Sequence, residues 1–146
     1  PNDIRKIIKS KEKNFNQVIN GYAKIDSNID PSSKNIPKVI FNNKKNLIYM
    51  SRNLLPGHKE SAPKPIEYFK QVCVYAFNKK ELNYFFSKNK KSLLEFYEDI
   101  EILRFLESEI KIKMIKLSQQ SIAVDVPKDI KKVEKEILKL KKLKKK

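Results

Sequence analysis

Residues 92–130 constrain this chain most, because three different periodicities follow one another there. First comes Ser-Leu-Leu-Glu-Phe-Tyr-Glu-Asp-Ile-Glu-Ile-Leu-Arg-Phe-Leu-Glu, an acidic amphipathic stretch. Ser92 and Glu95 have the spacing of a capping box. Leu94, Tyr97, Ile100 or Glu101, and Arg104 then recur at helical intervals. Residues 110–117 alternate Ile-Lys-Ile-Lys-Met-Ile-Lys-Leu, the period of a half-buried strand. Pro127 suits the first turn of a new helix, and Asp125 lies just before it. A helix, a strand and a second helix thus frame one carboxylate at a strand-to-helix turn. Open α/β sheets hold ligands and metals at such turns, so the chain is expected to be α/β.

The remaining segments fit that class. Residues 1–13 read as a helix with Asn2 as cap and Ile4, Ile7 and Ile8 on one face. The chain starts at Pro1, already in a helical turn, which suggests a cut from something longer. Residues 15–25 read as a strand in which Gly21 marks a bulge or a close backbone approach. Residues 37–41 and 47–51 flank a polar turn and form a hairpin, with Arg52 leaving its second strand. Residues 53–65, with Pro56, Gly57, Pro63 and Pro65, read as a long irregular loop. The only histidine, His58, lies there without Cys or His partners and is given no metal role. Residues 70–77 are the most apolar strand and should be central, with Cys73 buried between Val72 and Val74. Asn78 should cap a helix over Lys79–Ser87, with Leu82 and Phe85 or Phe86 inward. Ile130, Val133, Ile137 and Leu140 make the stripe of the last helix, and residues 139–146 are a solvated basic tail.

The length suits one α/β unit spanning residues 1–146. No apolar run in these residues reaches membrane-span length or reads as a secretory h-region. With Cys73 the only cysteine, an internal disulfide is excluded, which fits a reducing, cytoplasmic compartment. A net charge of +16 raises a nucleic-acid reading. Yet only three of the thirty-three basic residues are Arg, namely Arg5, Arg52 and Arg104, and planar recognition of phosphates and bases favours Arg. Asn and Ile are abundant too, so AT-rich codons explain the lysines as well as a polyanion does. Gly21 and Gly57 are the only glycines, so no glycine-rich phosphate loop lies in these residues.

Six stretches, in register, resemble the sugar-activating cytidylyltransferases, in particular the 3-deoxy-manno-octulosonate (Kdo) enzymes and their acylneuraminate relatives. They are residues 18–21 (Val-Ile-Asn-Gly), 37–41 (Pro-Lys-Val-Ile-Phe), 48–53 with Pro56 and Gly57, 70–77, 98–104 and 121–130. The resemblance implies a nucleotide-diphospho-sugar transferase-like, Rossmann-like mixed sheet flanked by helices. It implies that a 3-deoxy-2-ulosonic acid attacks the α-phosphate of CTP, releasing pyrophosphate, with Mg²⁺ clamping the phosphates. Positioning and charge neutralisation dominate such a transfer.

Residue by residue, the resemblance makes Asp125 the Mg²⁺ ligand. It makes Arg52, Gln71, Tyr75 and Glu101 sugar-contacting, with the Arg52 fork suited to a sugar carboxylate. Glu98 and Asp99 are expected to face solvent or pair with lysines. Gln71 stands where Kdo enzymes show His, Ile102 where some have Gln, and Ala123 where Gly is frequent; an amino-Kdo substrate is therefore included. The family's N-terminal CTP loop has no counterpart here, so these residues are expected to form the C-terminal sugar-binding and dimerising part, inactive alone. A homodimer is implied, with the 37–51 hairpin at its interface. The competing reading is a non-catalytic basic α/β module that binds a polyanion or a partner protein.

Overall fold

The computed structural model describes residues 2–59, 66–118 and 127–143. Along the chain these form α1 (Asn2–Lys13), β1 (Val18–Lys24), β2 (Lys38–Phe41), β3 (Leu47–Ser51) and β4 (Phe69–Ala76). There follow α2 (Lys79–Ser87), α3 (Leu93–Glu98), α4 (Leu103–Glu107), β5 (Ile112–Lys116) and α5 (Pro127–Leu143). The strands make one mixed sheet in the order β3-β2-β4-β1-β5. β4 lies in the middle, as its apolar run predicts. β1 is antiparallel to β4 and parallel to β5.

The sheet buries apolar side chains on both faces. Ile19 and Ala23 of β1 pack with Ile7 of α1, Val72 and Leu117. Val18 and Tyr22 alternate to the other face and join Val39, Met50, Phe105 and Met114 in the larger cluster. That alternation is the strand period, and it leaves Val18, Ile19 and Ala23 with no solvent exposure. The β2–β3 hairpin covers part of this second face. Its tip crosses to β5, where Asn46 bridges Lys113 and the Met114 N–H donates to Lys45 O at 2.8 Å.

Local capping follows the sequence closely. Asn78 accepts from the Glu81 N–H at 2.9 Å while Glu81 Oε2 accepts from the Asn78 N–H at 2.8 Å, a complete capping box. Glu81 also pairs with Lys11 at 2.6 Å, which ties the start of α2 to the end of α1. At α3, the Ser92 N–H donates to Glu95 Oε2 at 3.2 Å. α5 begins at Pro127, as read, although Ile130 and Ile137 of its stripe are half exposed.

Four expectations are corrected. The single helix from Ser92 is two short ones, because Asp99 takes a left-handed conformation, φ 50° and ψ 50°. Arg52 supplies the reason: its guanidinium donates to Glu98 O at 2.6 Å and Asp99 O at 3.0 Å. Those are carbonyls that a continuous helix would use for its own next turn. Tyr97, in the first of the two helices, is 75% exposed. Glu98 does not face solvent. It is half-buried and accepts from Ser51 Oγ at 2.7 Å and the Arg52 N–H at 2.8 Å, closing the end of β3. Cys73 is exposed rather than buried. On α2, Phe85 packs inward, as one of the two phenylalanines should, but Leu82 is largely exposed.

Candidate functional site

Cys73 is exposed on β4, and β2 accompanies only the start of that strand. The pairing comprises Lys38 with Lys70 and a Gln71 N–H to Pro37 O bond of 2.9 Å. Past that point one face of β4 opens into a crevice. By the strand period, Gln71, Cys73, Tyr75 and Phe77 alternate onto it. Its floor is a cavity of about 230 Å³ lined by Tyr75 of β4, Phe77 just after it, Leu82 and Phe85 of α2, and Glu101 and Ile102 before α4. A groove of carbon with a few convergent polar groups has the make-up of a small-molecule site.

The polar groups are linked. Gln71 Nε2 donates to the Tyr75 hydroxyl at 3.0 Å. Burial pushes the Tyr75 phenol well above its ordinary range, and the neighbouring Cys73 and Glu101 push the same way. It therefore stays a neutral donor at any physiological pH. Glu101 is exposed at the rim. Of the four predicted sugar contacts, Tyr75 and Glu101 thus line one crevice, and the buried Gln71 reaches it only through its bond to the Tyr75 hydroxyl.

Arg52 is held apart from them. It donates to three carbonyls, Glu98 O, Asp99 O and Lys34 O, the last at 3.0 Å. Its visible work is to fasten the α3 end, two residues before Glu101, to the end of β3. Beneath it Lys38 is buried and donates to Ser33 O at 2.9 Å. Burial draws the Lys38 ammonium pKa down, while Glu98 pulls it back up.

The far wall of the crevice is braced by an ion pair. Arg104 meets Glu95 through two bonds, Nε to Oε2 at 2.6 Å and Nη2 to Oε1 at 2.8 Å, and both side chains are buried. Nη1 also donates to Phe85 O at 3.0 Å, closing the C-terminal end of α2. The guanidinium lies 4.1 Å from the Phe85 ring centroid. Phe105 stacks on Phe77 and Phe85, with centroids 5.5 and 5.8 Å away. The sequence reading placed Arg104 only at a helical interval. Its nine-residue distance from Glu95 is no standard helix pair, so the brace was not visible there. Asn20, fully buried beside Gln71, was also missed. Its signal was the Asn-Gly pair inside an apolar strand.

Asp125 and Ala123 lie outside the described residues. Among the described residues no group of three or more His, Cys, Asp or Glu side chains is placed to hold a metal. Also among them, no helix is long and apolar enough to cross a membrane.

The fold has known counterparts. The family model described as cytidylyltransferase matches residues 1–112. The 3-deoxy-manno-octulosonate cytidylyltransferase of Christiangramia forsetii is 34% identical over 73% of this chain and 42% of that protein. The 8-amino-3,8-dideoxy-manno-octulosonate cytidylyltransferase of Shewanella frigidimarina is 37% identical over 66% of this chain and 38% of its own length. The chain thus spans about two-fifths of these relatives. A solved structure of CMP:2-keto-3-deoxy-manno-octonic acid synthetase complexed with CTP superposes with a TM-score of 0.83. It is 24% identical, and the match covers 95% of this chain and 56% of that one. That likeness bears out the mixed-sheet α/β fold, and the family match over the greater part of the sequence settles its kinship: the chain belongs to the cytidylyltransferase family.

Proposed function

We propose that this chain supplies the sugar-binding end of a cytidylyltransferase that joins CMP to Kdo or a close 3-deoxy-2-ulosonic acid, amino-Kdo included. The observation that carries the proposal is a crevice lined by Tyr75 and Glu101, with Gln71 bonded to the Tyr75 hydroxyl behind it, in a chain of this family. The anomeric hydroxyl of the sugar forms the new O–P bond to the α-phosphate of CTP. The bond to the β-phosphate breaks, and pyrophosphate leaves with its electron pair.

In this reading Gln71 and Tyr75 hydrogen-bond sugar hydroxyls, and the Glu101 carboxylate accepts from a hydroxyl or pairs with an amino group. Arg52 offers the sugar carboxylate the donors that its carbonyl bonds leave over. Asp125 holds Mg²⁺, which would neutralise phosphate charge. The enzyme works in the cytoplasm as a homodimer. The open edge of β3, with Ile48 52% exposed, offers a surface for the second copy.

The deciding experiment measures pyrophosphate release from CTP with Kdo or amino-Kdo and Mg²⁺. Residues 1–146 alone should release none, since they contain no glycine-rich phosphate loop. The assembled enzyme, with such a loop, should turn over. Turnover by residues 1–146 alone would sink this division of labour. The net charge of +16 favours one other reading, a polyanion-binding module. An assembled protein that binds polyanions at physiological salt but turns over neither sugar supports that instead.

Gln71 should help set the choice of sugar. Gln71→His is expected to shift selectivity toward Kdo over amino-Kdo by about 1–3 kcal/mol, the range for exchanging one hydrogen bond. Measured kcat/KM ratios that are the same in both forms would remove Gln71 from the sugar pocket.

A further inference from the structure

Four residues of regular strand span about 13 Å, so Gln71 and Tyr75 should be too far apart to meet readily. They meet because β4 is bulged. Opposite β1, Asn20 pairs with Tyr75, Gly21 with Val72 and Tyr22 with Gln71. One residue step on β1, from Asn20 to Gly21, is therefore matched by three on β4. Cys73 and Val74 face no partner on β1. Seen from β1, Gln71 and Tyr75 lie opposite residues only two apart, the spacing of neighbours on one face. The bulge turns a distant pair into a contact and leaves Cys73 exposed between them.

A bulge leaves ladder carbonyls without their usual donors. Here the side chain of Asn20 replaces them. Its Nδ2 donates to Val72 O at 3.0 Å and to Val74 O at 3.2 Å, spanning the bulge from both sides. Its Oδ1 lies 3.5 Å from Gln71 Nε2, the nitrogen that donates to Tyr75. Gly21 completes the arrangement. A Cβ there would collide with the Leu117 side chain and sit 3.2 Å from Val72 O.

We infer that Asn20 is a positioning residue for the crevice: its amide holds the two-residue bulge that brings Gln71 and Tyr75 together. The inference deepens the proposed sugar site and rests on that reading for its effect on sugar binding. The bulge clamp itself does not depend on it.

The test uses Asn20→Ala and Asn20→Thr in the intact protein, Thr keeping one donor. Two readouts are taken, backbone hydrogen exchange over residues 71–77 and KM for each substrate. Exchange in that segment should rise in Asn20→Ala and less in Asn20→Thr. KM for the ulosonic acid should rise roughly tenfold in Asn20→Ala, the factor one net hydrogen bond supplies. KM for CTP should stay as it was, and Asn20→Thr should recover part of the loss. Unchanged exchange in both variants overturns the clamp. Raised exchange with an unchanged sugar KM, or with both KM values raised alike, leaves Asn20 a general stabiliser and overturns its positioning role. If Asn20→Ala does not fold, Asn20→Thr decides by the same two readouts. An unsubstituted protein that turns over no ulosonic acid overturns the proposed function instead, and exchange then decides the clamp alone.

Discussion

Arg104→Met is expected to destabilise the chain by about 3–5 kcal/mol, the cost of leaving one member of a buried ion pair without its partner. The charge left behind is Glu95, which is 2% exposed and meets Arg104 through two short bonds. Met keeps the length and most of the carbon of Arg, so lost packing is a small part of the effect. Phe85 O loses a donor at the same time, which loosens the end of α2. Because the pair joins α2, α3 and α4, the change should spread to the whole crevice wall. Urea unfolding monitored by circular dichroism reads it directly. The double variant Glu95→Leu with Arg104→Met should regain much of the loss, since no buried charge is then left alone. A loss below about 1 kcal/mol in Arg104→Met, the range of a solvated surface pair, would show that water reaches this pair.

Asp125→Asn in the assembled enzyme is expected to remove most turnover and to raise the Mg²⁺ concentration needed for what remains. Asn keeps the size and most of the hydrogen bonding of Asp and removes only the charge. If Asp125 merely served the start of α5, the loss would be at most about 1 kcal/mol of stability, the worth of a carboxylate near a helix N-terminus. Melting temperature and Mg²⁺-dependent rate, measured together, separate the two roles. A near-normal rate with an unchanged Mg²⁺ profile would leave Asp125 a helix-start residue.

Local rules made much of the fold legible. Asn78 and Glu81 are three apart and form the box that their types require. Gly21 has both the bulge and the close approach that a glycine inside an apolar strand implies. Two features resisted because distant residues decide them. Residues 92–107 keep helical periodicity across the break at Asp99, and what stops the helix is Arg52, from another part of the chain. Cys73 sits between two valines and reads as core. Its exposure goes with the bulge opposite Asn20 and Gly21, which no pattern within β4 records. The site divides the same way. Gln71, Tyr75 and Glu101 could be named from their stretches, whereas the contact between Gln71 and Tyr75 is made by Asn20, about fifty residues earlier.

The strand order β3-β2-β4-β1-β5 also governs how the chain can assemble. β1 and β2 follow one another in sequence but never pair, because β4 inserts between them. During synthesis β1 has no neighbour on either side until residue 76 has emerged, and its second neighbour waits for β5. Among the described strands only the β2–β3 hairpin closes over a short loop. Every other pairing must first overcome the entropy of closing a long one. The sheet is therefore expected to form late and cooperatively, with the arrival of β4 as the committing step.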